Sequence, residues 1–132
     1  MTTPIKLAAR SPSPVEAFLN HFISSTQENP IGHGRVYGGA LIELCSLHGG
    51  RVWLKSVWAM EKRMGYGTKA MELIANLSDT YGVEVTITPK KFGREGMTTA
   101  QLRKWYRRFG FVPAGAGRMR REPQSWIRKE NA

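Results

Sequence analysis

Residues 57–68, Val57-Trp58-Ala59-Met60-Glu61-Lys62-Arg63-Met64-Gly65-Tyr66-Gly67-Thr68, constrain this chain more than any other stretch. A run of strand-like pattern ends there, two glycines follow at i and i+2, and an amphipathic helical pattern begins. Glycines at that spacing let the backbone turn sharply and aim several N–H groups at one point. That point lies at a helix N-terminus, where unsatisfied donors and the helix dipole favour an anion. Lys62 and Arg63 add positive charge beside it. On spacing alone, a glycine turn that holds no ligand is an equally good reading.

The rest of the chain fills in around that unit. Residues 5–8 have the pattern of a short first strand. Ser13, followed by Pro14 and Glu16, predicts the start of a helix over 14–26. Its Val15, Phe18, Leu19, Phe22 and Ile23 recur at helical spacing. Asn29-Pro30 ends it, and Gly32, Gly34, Gly38 and Gly39 predict an irregular stretch. Residues 40–47 and 51–60 read as a hairpin turned at His48-Gly49-Gly50. A helix over 68–81, stopped by Gly82, and a strand over 83–88 come next, then a basic loop over 89–96. Thr98 and Gln101 have the spacing of a capping box. They open a helix with Leu102, Trp105, Tyr106 and Phe109 along one side and Arg103, Lys104, Arg107 and Arg108 on the other. Gly110 ends it; 111–113 begins an extended segment and 118–122 a last strand. The order predicts a mixed α/β or α+β domain, with 51–60, 68–81 and 83–88 forming a βαβ unit.

Length and charge bound what such a domain can do. The chain has 132 residues, which suits one domain; it reads as a single domain over 1–123 with a basic tail over 124–132. No apolar run reaches the ~20 residues of a membrane-spanning helix, and the N-terminus lacks a secretory pattern. No membrane partner is expected. Cys45 is the only cysteine, so an internal disulfide and a cysteine-rich metal cage are excluded, and a reducing, cytoplasmic setting follows. No metal is expected. Twenty Lys and Arg against ten Asp and Glu give a formal charge of +10. Such a chain draws nucleotides, phosphates, nucleic acid or acidic proteins, unless the charge serves only solubility.

Three readings compete for the glycine loop. Gly65-x-Gly67 with Ala70 and Glu84 imitates a dinucleotide fingerprint, but the chain is too short for a doubly wound sheet. A phosphate-loop NTPase is excluded because no GxxxxGK[ST] is present. The stretch resembles instead the acetyl-coenzyme A signature of the GCN5-related N-acetyltransferases: Gln or Arg, two residues, Gly, one residue, then Gly or Ala. Gly65 and Gly67 match, and Lys62 keeps the charge of the first position without arginine's forked donors. A second match lies about forty residues on. Gln101-Leu102-Arg103-Lys104-Trp105-Tyr106-Arg107-Arg108-Phe109-Gly110-Phe111 is similar to the family's helix ending in an aromatic-Tyr pair, three residues, then Gly-Phe. The resemblance covers residues 40–123 well and the first 35 poorly, where the chain is trimmed or divergent.

The resemblance implies a mixed central sheet flanked by helices and an N-acetyltransferase that uses acetyl-CoA as cosubstrate. An amine acceptor attacks the thioester directly. The main chain at Val57 and Ala59 would pair with the pantetheine arm. Lys62, Arg63, Met64, Gly65, Tyr66, Gly67 and Thr68 would cradle the pyrophosphate. Tyr106 would protonate the leaving thiolate. For the general base, Glu43 leads as a mid-strand carboxylate beside the cosubstrate strand, and a solvent-facing strand residue is an equal reading of it. Glu84, Glu61, His33 and His48 are further options, Glu61 as a solvated loop residue and His48 as a turn residue; water serves instead in several family members. Cys45 reads as a small buried strand residue. Trp53 and Trp58, five apart, fall on opposite faces of a regular strand, one in the core and one along the acceptor groove.

The acceptor amine belongs to a small molecule, a protein or an aminoacyl-RNA, and a homodimer is open to the chain. Two other functions stand beside this one on the same fold. One is a nucleic-acid-binding module using Lys90, Lys91 and Arg94, the polar face of the helix over 98–109, and Arg118, Arg120, Arg121, Arg128 and Lys129. It has neither zinc spacing nor a single-strand platform signature behind it. The other is a catalytically idle interaction module.

Overall fold

The computed structural model describes residues 11–61, 64–89 and 98–124. The strand expected at 5–8, the side chains of Lys62 and Arg63, nearly all of the 89–96 loop and the basic tail beyond Gln124 lie outside the described residues.

Helix α1 (Pro14–Ser25) starts as its sequence dictates. Ser13 Oγ accepts the Glu16 N–H at 3.1 Å, while Glu16 Oε1 accepts the Ser13 N–H at 2.8 Å. The stretch expected to be irregular contains two short strands, β1 (Gln27–Glu28) and β2 (Arg35–Tyr37). At two and three residues neither is long enough to display alternation, so no periodic signal marks them. Arg35 fixes β2 against α1. Its Nε donates to Thr26 Oγ1 at 2.7 Å and its Nη2 to the carbonyls of Thr26 and Ile23, so a cation closes the helix C-terminus.

The hairpin follows as β3 (Ala40–Leu47) and β4 (Arg51–Ala59), with Gly49 and Gly50 both at positive φ in the turn. Then come α2 (Tyr66–Tyr81), β5 (Glu84–Ile87), α3 (Thr99–Arg107), β6 (Val112–Gly115) and β7 (Arg118–Arg121). One mixed seven-stranded sheet runs in the order β1-β2-β3-β4-β5-β7-β6. Every neighbouring pair is antiparallel except β4 and β5, which are parallel and joined through α2. The expected βαβ unit is present. One sheet face supplies Ala40, Ile42, Val52, Leu54, Val85, Ile87 and Met119 to the core. Phe18 and Phe22 of α1, Met71, Ile74 and Leu77 of α2, and Tyr106 of α3 meet them.

A bulge in β4 changes what its side chains face. Glu43 pairs with Ser56 but Leu44 pairs with Leu54, which leaves Lys55 as an extra residue. An extra residue reverses the alternation beyond it. Trp53, opposite Cys45, and Trp58, opposite Leu41, therefore share one face. This corrects the expectation that their spacing separates them, and neither is core: they are 36% and 39% exposed. Cys45, expected to be buried, is exposed on the same face.

Arg121 locks the opposite end of the sheet. It is 4% exposed, with Nη1 and Nη2 donating to the two Asp79 oxygens at 2.8 and 3.1 Å. Nη1 also reaches Ser78 Oγ, and Nε reaches the Phe109 carbonyl. A buried guanidinium is tolerated only when paired in this way, and here it ties β7 to α2 and to the end of α3.

Candidate functional site

The β4–β5 pairing is incomplete. β5 meets β4 only at residues 51–54, whereas β4 runs on to Ala59. Over 55–59, β3 occupies one edge and no strand among the described residues occupies the other. The bulge at Lys55 sits where the two strands part, and a bulge bends its strand. Main-chain groups of Val57 and Ala59 lie on this half-paired stretch, and such groups call for partners.

The N-terminus of α2 stands past the end of the same strand. Gly65 is its N-cap at φ 75° and ψ 11°, with no side-chain cap bond and no acidic residue in the first turn. A β-carbon built at Gly65 would meet nothing within 4 Å. Left-handed backbone explains the glycine, and open space lies where a side chain would stand. Among the described residues no side chain caps the N–H donors of the first turn. Met64 and Thr68 are exposed on either side.

The loop is held from two directions. The Tyr66 ring lies against the main chain of Gly39, where any β-carbon would collide with it, and Met60 N–H donates to the Gly39 carbonyl at 2.8 Å. From α3, the Trp105 indole would lie 3.6 Å from a β-carbon at Gly67. The two sequence motifs therefore meet: the residue before Tyr106 packs on the second glycine of the loop. Tyr106 is 3% exposed, with Trp105 and Phe111 rings around it. Burial disfavours the phenolate and pushes its pKa up to about 12.

Glu43 is half-buried in the middle of β3 and accepts from Ser56 Oγ at 3.3 Å. With Leu41, Ser56 and Trp58 it lines a cleft of about 310 Å³, one residue along from Val57. The other base candidates lie elsewhere. Glu84 pairs with Arg51 at the far end of β4. His48 is exposed in the hairpin turn, where its carbonyl accepts from Arg51. His33 and Glu61 are exposed loop residues. A larger hollow of about 680 Å³ lies between α2 and the end of α3, lined by Glu72, Asn76, Asp79, Arg107 and Arg121 among others. It holds none of the residues expected to bind the cosubstrate or to catalyse, and its buried arginine is already committed to Asp79. Ser56 and Leu41 escaped the sequence reading because only the bulge register, which has no sequence signature, aligns them with Glu43 and Trp58.

Among the described residues no group of His, Cys, Asp and Glu could hold a metal, and no helix is long and apolar enough to cross a membrane. No family model and no curated protein matches the sequence. Solved structures match the fold. The crystal structure of the anti-CRISPR protein AcrVA5 aligns with a TM-score of 0.51 at 17% identity, covering 62% of this chain and 88% of that one. AtaTR bound with AcCoA gives 0.46 at 16% identity, over 81% of this chain and 69% of that one. The KacTA-DNA complex gives 0.46 at 16% identity, over 88% and 86%. The mixed sheet, the parallel β4–β5 pair that parts at a bulge and the glycine loop opening α2 give this chain the fold of the GCN5-related N-acetyltransferases.

Proposed function

We propose that the chain is an acetyl-CoA-dependent N-acetyltransferase acting on an amine. One observation carries the reading: the half-paired stretch of β4 runs toward the uncapped start of α2, so unused main-chain groups fall in two neighbouring places. Acetyl-CoA has an amide-bearing arm and a pyrophosphate, the two chemistries those places fit, and when bound it supplies a thioester carbonyl and a thiolate leaving group. Main-chain groups of Val57 and Ala59 bind the arm as another strand would. The N–H groups from Gly65 to Thr68 hold the pyrophosphate, and Lys62 and Arg63 add charge to it.

Glu43 accepts the proton that the amine must lose, with Ser56 orienting its carboxylate. Tyr106 donates to the departing sulfur. With its pKa at about 12 it stays protonated at every physiological pH. Handing that proton outright to a thiolate of ordinary pKa is uphill by ~5 kcal/mol. Its contribution is therefore a hydrogen bond, completed as a transfer only when the amine's proton replaces the one given up. The same domain reading, 1–123 with a basic tail, is part of this proposal.

Calorimetric titration with acetyl-CoA, beside a Gly65→Asp/Gly67→Asp variant, tests it. The expected result is micromolar-range binding that the added carboxylates abolish. Failure of the folded wild-type protein to bind would remove the enzyme reading.

A further inference from the structure

We propose that the exposed face of the sheet is a docking surface for single-stranded nucleic acid, separate from the pyrophosphate loop. The bulge at Lys55 builds it. By turning Trp58 to the side of Trp53, it places two indoles on one face, 36% and 39% exposed, at ~14 Å along one strand. At that separation they cannot cover one another, and each keeps more than a third of its surface exposed, with the Lys55 side chain lying over the Trp53 ring. A hollow adjoins each: about 310 Å³ beside Trp58 and about 200 Å³ lined by Leu47, Trp53, Thr86, Thr88 and Arg118.

Cations stand on the same face. Trp53 aligns across the sheet with Thr86, and Thr86 with Arg120. Arg118, two residues before Arg120 on β7, shares its orientation, and both are exposed. Lys55 Nζ lies 5.5 Å from the centre of the Trp53 ring. Arg120 reaches Glu122 at 3.7 Å, with both side chains largely solvated, an ion pair weak enough for a phosphate to displace. Two carboxylates bound the track: Glu43 in the Trp58 hollow and Glu84 at the distant edge.

Separated flat rings interleaved with cations match a ligand that alternates planar bases with phosphates on a flexible chain. Duplex DNA hides its bases from such rings, and an acidic peptide would answer the arginines but leave the indoles unused. The overall +10 charge draws any polyanion, so the aromatic dependence is the discriminating property.

The test is fluorescence anisotropy of a labelled oligouridylate of about 12 nucleotides, titrated at several salt concentrations in the absence of acetyl-CoA. The expected result is binding that quenches tryptophan emission and weakens about tenfold on Trp53→Ala or Trp58→Ala. Trp53→Phe, which keeps a flat ring, retains most of the affinity and controls for folding. Arg118→Gln/Arg120→Gln lowers the slope of log affinity against log salt by about 1.4. No binding, equal binding of a duplex of the same length, or alanine variants that stay folded and bind as the wild type does would each overturn the proposal. Acetyl-CoA titration of the same preparation keeps the two readings apart, since either can fail while the other stands.

Discussion

β4 and α2 each have one end built shut and one end left open, and the shut and open ends lie together. At residues 51–54, β4 is paired on both edges, and in the last turn of α2 Asp79 is paired with Arg121. There Arg121 is bound by Asp79, Ser78 and the Phe109 carbonyl, and Gly82 closes the helix. At 55–59 β4 has one partner, and α2 begins with neither a cap side chain nor an acid. Helices α1 and α3 show that the chain can cap a helix when it has to. Ser13 with Glu16, and Thr98 with Gln101, each close a reciprocal pair of bonds. A cap contributes ~1 kcal/mol to a helix, and among the described helices only α2 lacks one, at the end proposed to meet the pyrophosphate. Stability is concentrated in the shut half, and the contacts proposed for acetyl-CoA lie in the open one.

The largest expected effect tests whether those halves are separable. Asp79→Ala strands the Arg121 guanidinium at 4% exposure. The expected loss is ~3 kcal/mol, at the low end of the range for breaking a buried pair because the carboxylate itself is one-third exposed. Urea unfolding reads the loss directly. The folded variant should still bind acetyl-CoA within a factor of about two, because nothing in the knot reaches Gly65. A parallel collapse of affinity would mean that the two ends are one cooperative unit.

Tyr106 stands on the seam, its ring in the core beneath the open end. Its pKa is raised from 10.0 to about 12 in the folded protein. Below pH 10 both folded and unfolded states keep the proton and stability is unaffected. Above it the unfolded state ionises first, so the folded state loses up to ~1.4 kcal/mol per pH unit, about 2 kcal/mol by pH 12. Denaturant midpoints measured from pH 9 to 12 should fall less steeply in Tyr106→Phe than in the wild type. Equal slopes would place the hydroxyl in water and move it from the seam to the open side.

How much of this was legible in the sequence follows the same division. Capped helix starts, the Gly49-Gly50 turn, the Gly82 stop and the strand alternations are local chemistry, and the hairpin, helices α1 to α3 and the βαβ unit could be read from them. The meeting of the loop with Trp105 follows from two motifs whose order was visible but whose contact was not. Strands β1 and β2 are too short to carry a period. The bulge at Lys55 was illegible because a bulge is a property of two strands' register and is written in neither alone. That one residue decided the faces of Trp53 and Trp58, the exposure of Cys45 and the surroundings of Glu43.

The smallest effect makes the sharpest distinction, because it separates two glycines that the signature treats almost alike. Gly65 has left-handed backbone and no neighbour within reach of a β-carbon; Gly67 lies inside α2, where a β-carbon would make an ordinary contact with Trp105. Gly65→Ala is therefore strained by its backbone alone, at ~1–2 kcal/mol. Gly67→Ala exchanges glycine for the best helix former and should stabilise by up to ~1 kcal/mol. Opposite signs in urea unfolding are the expected outcome, with acetyl-CoA affinity falling in the first variant and held in the second. The asymmetry gives a physical reason for a pattern that demands Gly at one place and accepts Gly or Ala two residues later: the first position sets a backbone conformation, and the second only needs a small side chain beneath an indole. If both variants lost stability equally, the loop would not enter α2 through a left-handed residue, and the uncapped helix start would lose its explanation.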